Sequence, residues 1–313
     1  MGVNFIGGRF RKLRCASFAP HSLDVSNKKE PFNMIGFWVV NLLIPGEPDN
    51  CKISTASGGW VLEKYANYSQ SKDAIANGQC AHTYAIENDA SMDYGSAVVD
   101  SSLEEMTPLL LGASFLSGLS VTARSSLPHS DVSIIQTSDH WPRERAMGVG
   151  NPCVNTQQEF TDNLEKFVNA WPSVAQGEKI LILVHHWLDA LGCWSFEDFY
   201  LSATTLLQII AATEEQVTGN SNLSYFQAVQ SASSRVGINS LNRDFKDMRN
   251  NLIHEGKLLG GSFAGTDREA CSSVAADVMN WFDEYLHAVM NLGTVKRKRY
   301  SKSDFMSLNA YSL

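Results

Sequence analysis

Near residue 155 the hydrophobic pattern of the chain changes period, and no single secondary-structure class accommodates both portions. Upstream, apolar runs are short and cut by turn-formers. Phe37–Ile44 stops at Pro45-Gly46, Ser57-Gly58-Gly59 precedes Trp60–Leu62, and Val132–Ile135 sits among polar residues. Such runs are strands with loops between them. One helix interrupts them: Leu103–Leu119 places Met106, Leu109, Leu110, Ala113 and Leu116 at helical spacing, with Pro108 expected in its first turns. Downstream, helical periodicity takes over. It predicts helices over Gln157–Ala170, Ile180–Leu191, Phe196–Val217, Tyr225–Val236 and Asn242–His254, and a closing helix over Asp267–Leu292. Phe199, Ala203, Leu206 and Ile210 form one core-facing seam, and Val274, Val278, Trp281, Tyr285 and Val289 another. Two helix starts carry capping pairs, Ser195 with Asp198 and Thr266 with Glu269.

The expected class is therefore α+β with two domains. Residues 1–154 form a β-rich domain, 155–293 an all-α bundle and 294–313 a basic tail, with a flexible boundary between Gly148 and Gln158. A chain of 313 residues is long enough for each portion to bury its own core.

Charge and cysteine usage narrow the function classes. With 33 acids against 25 bases the formal net charge is −8, so bulk attraction to nucleic acid is excluded and any such contact needs a local basic patch. No apolar run approaches the ~18–20 residues of a membrane helix; Ile35–Ile44 fits a buried strand. Met1–Arg14 is basic but lacks the apolar stretch of a secretory signal. Six scattered cysteines without a Cys-x-x-Cys pair suit the reduced thiols of a cytoplasmic protein. Cys80-x-His82 has no second ligand pair, and His185-His186, being adjacent, point about 100° apart on a helix. No metal site and no cofactor is expected. The sequence also lacks a Gly-Lys-Ser/Thr phosphate loop, a complete Gly-x-Ser-x-Gly elbow and a His-Glu-x-x-His pair. Asp139-His140-Trp141-Pro142-Arg143 suits a polar loop.

One constellation carries chemistry. Arg249-Asn250-Asn251-Leu252-Ile253-His254 ends a helix whose buried stripe is Phe245, Met248 and Leu252. Arg14 with His21 and Arg124 with His129 are also paired arginines and histidines, but neither arginine precedes an asparagine, and both lie in the β-rich portion. Asn250 and His254 are four residues apart and share a face with Asp247, while Arg249 stands about 140° from His254 at the edge of the apolar stripe. The residues alone leave a structural reading open. His254 before Glu255-Gly256 suits an ordinary helix C-terminus, and Asp244 or Asp247 could pair with Arg249.

With its Arg-Asn and downstream histidine late in a helical bundle, the stretch from about Gln157 to Leu292 resembles the HEPN superfamily, and most of all the ApeA-like branch. That branch joins a variable N-terminal domain to a C-terminal HEPN bundle. Leu109–Gly118, a Leu-rich run into Ser-Phe-Leu-Ser-Gly, adds a weaker likeness. The resemblance implies a metal-independent endoribonuclease acting on RNA as a homodimer joined through the bundles. It also implies a role in phage defence or stress response, with the N-terminal domain as a sensor. Arg249, Asn250 and His254 would be its catalytic residues. An alternative is a HEPN module that binds nucleotide or RNA, or dimerises, without catalysis. Asp247 is added as a support for the His254 ring on its spacing. In the tail, Lys296, Arg297, Lys298 and Arg299 are candidate phosphate contacts; the other reading there is a solvated terminus.

Overall fold

The computed structural model describes residues 36–56, 58–88, 96–127 and 140–313. The run Val132–Ile135, His129, and the segment Met1–Arg14 with Cys15 and His21 lie outside them. Among the described residues five strands form one antiparallel sheet: β1 (Gly36–Val40), β2 (Asn50–Thr55), β3 (Gly58–Lys64), β4 (His82–Asn88) and β5 (Thr122–Leu127), in the order β2-β3-β4-β1-β5. β2 and β3 pair from Asn50–Glu63 to Thr55–Gly58, a register that leaves a two-residue connection. A short helix, α1 (Tyr68–Ala76), precedes β4, and α2 (Ser96–Ser117) precedes β5.

From residue 157 the chain is helical: α3 (Gln157–Val174), α4 (Ile180–Leu191), α5 (Phe196–Thr218), α6 (Tyr225–Val236), α7 (Asp244–Glu255), α8 (Arg268–Val289) and a last turn, α9 (Lys302–Met306). The α+β layout thus appears as expected, an N-terminal antiparallel sheet followed by a helical region. The seam on α5 is fully buried; on α8 Val278, Trp281 and Tyr285 are buried while Val274 and Val289 are half-buried.

The change of pattern at residue 155 marks a change of secondary structure inside one core. The described residues form a single compact unit, and strand, α2 and bundle residues belong to one hydrophobic cluster. α2 extends further upstream than its periodicity suggested, so Pro108 lies in its interior. The helix is buried on every side from Met106 to Leu116, as Leu109, Leu110, Leu111 and Phe115 show, because the sheet portion and the bundle close on it together. Gly112 makes the approach to α3 possible: a Cβ there would stand 2.8 Å from Leu164 Cδ1 and 2.9 Å from Phe167 Cδ1. The segment expected to be a flexible boundary is pinned. Cys153 N donates to the Leu116 carbonyl at 3.0 Å, Asn151 Nδ2 to the Arg299 carbonyl at 2.8 Å, and Val154 is buried.

The capping expectation holds at Ser195, whose hydroxyl accepts from Asp198 N at 3.1 Å. At α8 the cap is Asp267, accepting from Ala270 N at 2.9 Å, one residue beyond the expected Thr266. The tail folds back along the bundle. Phe305 stacks on Phe199 at 4.6 Å, Phe196 N donates to the Asn309 carbonyl at 2.7 Å, and Glu197 accepts from the Tyr311 and Ser312 amides.

Candidate functional site

Helix α7 carries the constellation. Asp244 and Asp247 occupy its first turn, where negative charge suits the helix dipole. Gly256 ends it at φ +67°, donating to the Leu252 carbonyl at 3.1 Å. Phe245, Met248 and Leu252 are buried, and so are Asp247 and Asn251. The aromatic rings of α6 hold the helix in place: Phe226 stacks on Phe245 at 5.9 Å and Tyr225 meets it edge-on at 5.6 Å. Tyr200 of α5 donates to the Phe245 carbonyl at 2.7 Å.

Lys246, Arg249, Asn250, Ile253 and His254 occupy the opposite face, at positions i, i+3, i+4, i+7 and i+8. Arg249 is half-buried. Its guanidinium lies 5.1 Å from the centre of the Tyr225 ring, and Nη1 is 3.5 Å from Asn250 Oδ1. Neither acid considered as its partner takes that role. Asp247 pairs with Arg243 at 3.4 Å, and Asp244 accepts from Asn242 at 2.9 Å. Arg249 therefore keeps its charge at the surface, steadied by a ring face (a cation–π contact) instead of a carboxylate.

His254 is exposed and makes no hydrogen bond among the described residues. Asp247, turned toward Arg243 and buried, does not reach it, so the support expected from their spacing is absent. The two neighbouring asparagines divide their work. Asn250 faces outward beside Arg249, whereas Asn251 points inward and donates to the Gly260 carbonyl, fastening the loop after α7. Tyr225 was not legible as a site residue, because a ring at the start of one helix gives no local sign that it lies under an arginine of the next.

The tail bases prove unequal. Arg299 is fully buried: Nε stands 3.0 Å from Asp283 Oδ2, Nη1 donates to the Phe115 carbonyl at 2.9 Å, and the rings of Phe115 and Trp187 face it at 4.8 and 5.3 Å. It cannot contact phosphate. Lys296 pairs with Glu159 at 2.5 Å and Lys298 approaches Asp277 at 3.9 Å, which leaves exposed Arg297 as the base of that run without a carboxylate partner among the described residues.

Burial dominates at three enclosed groups elsewhere. It pushes His287 down to about 4, assisted by Arg299, and His82 down to about 4, assisted by Arg124; it pushes Asp283 up to about 6 against the pull of Arg299. All five described cysteines are free thiols. Among the described residues no three His, Cys, Asp or Glu side chains are grouped to hold a metal ion, and no helix is long and apolar enough to cross a membrane. Two cavities, of about 250 Å³ beside Cys193 and Phe305 and about 440 Å³ beside Glu178 and Arg235, are lined by no residue of α7. The constellation thus lies on an open helix face.

The fold and this face define a class: an α+β chain whose bundle presents arginine, asparagine and histidine to solvent from one helix. No protein-family model matches the chain, and no curated protein or solved structure matches it either.

Proposed function

We propose that the chain is a metal-independent endoribonuclease of the HEPN type, acting as a homodimer joined through its helical bundles. The observation that carries this reading is the outward face of α7, where Arg249, Asn250 and His254 stand together and Arg249 is held by the Tyr225 ring with no acid among the described residues to neutralise it. An arginine free of carboxylates is a ready fork for phosphate oxygens.

The substrate supplies the nucleophile, its ribose 2′-OH. Histidine, with an ordinary pKa of ~6.5, exchanges protons near neutrality. His254 takes the 2′-OH proton or protonates the leaving 5′-oxygen, Arg249 stabilises the charge that builds on the phosphorus oxygens, and Asn250 orients the guanidinium or bonds the phosphate. The products are a 2′,3′-cyclic phosphate and a 5′-hydroxyl. Because the outward face of α7 is open, with Ile253 and His254 exposed, a second copy would form the opposite wall of the groove. In this reading the sheet senses a ligand and biases the bundle, which the core it shares with α2 and α3 supports.

A second reading is favoured by the bare ring of His254, which no neighbour fixes in one tautomer: a HEPN module that binds RNA without cutting it. Incubating the purified protein with total RNA in EDTA, beside His254→Ala, separates the two. The nuclease reading expects cleavage that survives EDTA and disappears in the variant. RNA left intact by the wild-type protein, or cut equally by both, rejects it.

A further inference from the structure

An acidic protein that handles RNA needs its positive charge concentrated somewhere and unspent. The C-terminal segment looks richest in sequence, but acids of the bundle match all of its bases except Arg297. Lys296, Lys298, Arg299 and Lys302 are matched by Glu159, Asp277, Asp283 and Glu269. On α7 and its exit the reverse holds. Lys246, Arg249 and Lys257 have no carboxylate partner among the described residues and fall close together along one helix and its exit, whereas the other unpaired bases there, Lys52, Arg143, Lys166, Lys179, Arg268 and Arg297, are scattered along the chain.

Their placement is linear. The buried stripe Phe245, Met248 and Leu252 fixes the rotation of the helix, so Lys246, Arg249, Asn250, Ile253 and His254 run along its free side. Lys257 is exposed just past Gly256. From Lys246 to Glu255 the helix rises roughly 14 Å, enough to lie along a short run of backbone phosphates. Ile253, 47% exposed, adds apolar surface among these polar groups. Asp247 is buried against Arg243, and Glu255 lies about 100° round from His254, so neither sits between the lysines and the constellation.

We infer that the outer face of α7 is the track for a single-stranded RNA backbone, with Lys246 and Lys257 contacting phosphates on either side of the Arg249–His254 step. This rests on the ribonuclease reading for the identity of the polyanion. A single strand suits the face: it is narrow, straight and open, and attack by a 2′-OH needs a nucleotide free of a duplex. Lys246 and Lys257 supply affinity and register, outside the bond-breaking groups.

The test is the salt dependence of binding by the full-length protein to a short, fully 2′-O-methylated RNA oligonucleotide, which lacks the nucleophile and stays intact. Each lost phosphate contact on a single strand lowers the slope of log Kd against log salt by about 0.7. Lys246→Gln and Lys257→Gln are expected to lower it by that amount each, and the double variant by about 1.4. Arg297→Gln with Lys298→Gln should leave it unchanged. An unchanged slope in the α7 double variant, an equal fall in the tail variants, or competition by polyglutamate as strong as by RNA overturns the track. The two readings fail separately. A protein that shows these slopes but cuts no RNA loses the nuclease and keeps the track; one that cuts RNA with slopes indifferent to Lys246 and Lys257 keeps the nuclease and loses the track.

Discussion

Arg299 and Arg249 are chemically identical and physically opposite. Arg299 is enclosed with Asp283, and burying such a pair costs as much as their attraction returns. Arg299→Met should therefore destabilise the fold by about 3–5 kcal/mol, because Asp283 is left buried and uncompensated, and Arg299→Met with Asp283→Leu should recover much of that. Arg249→Ala should cost on the order of 1 kcal/mol. Urea denaturation of the four proteins reads both. Sequence could not separate the two arginines, since the partner of Arg299 lies on α8 and its ring contacts on α2 and α4. The buried histidines set an acid limit. Folded, His82 and His287 stay neutral down to about 4, against 6.5 in the unfolded chain, so between those values the unfolded state binds more protons and stability falls as pH falls. Asp283 works the other way: with its pKa raised from 3.8 to about 6, it takes up a proton in the folded state first, and stability rises as pH falls through that window. At pH near 5 these three groups leave about one proton in favour of unfolding. His287→Gln should lose less stability than the wild type between pH 7 and 5, which denaturation at the two values measures; an equal loss contradicts the assignment.

Among the elements, α7 was the most legible. Its buried stripe and its glycine stop follow from local spacing, whereas Asp247, expected to share the outward face with Asn250 and His254, is buried. What was illegible is tertiary. Pro108 was expected near a helix start, yet α2 begins at Ser96 and carries it in its interior. Nor does any local rule say which of two adjacent asparagines turns inward. Asn251 does, and a Cβ on Gly261, already at φ +55°, would stand 2.3 Å from its Oδ1. Asn251→Ala should cost about 1–3 kcal/mol by orphaning the Gly260 carbonyl. Asn250→Ala should cost stability little and RNA cleavage more. Thermal unfolding of both variants, with activity assayed beside it, checks the division; the reverse pattern would refute it.

At the scale of the molecule, the order of sheet then bundle was readable from the switch in hydrophobic period, whereas their common core was not. Gly112 against Leu164 and Phe167, and Cys153 against the Leu116 carbonyl, are contacts between segments whose patterns are each locally complete. The same limit applies to assembly. An isologous contact would present α7 twice and bring Arg249 and His254 of one copy toward those of the other. Light scattering at micromolar concentration should give twice the monomer mass. A monomer with full activity would rule out a shared groove.

In the proposed function, His254 and Arg249 cut RNA by way of its own 2′-hydroxyl. The most direct measurement uses one end-labelled oligonucleotide in EDTA, all-ribose or carrying a single 2′-deoxy nucleotide at the mapped scissile position. The expected result is cleavage of the all-ribose strand to a 2′,3′-cyclic phosphate, no cleavage at the deoxy position, and rates ~10²–10⁴-fold lower in His254→Ala. Cleavage at the deoxy position, or activity abolished by EDTA and restored by Mg²⁺, would contradict it.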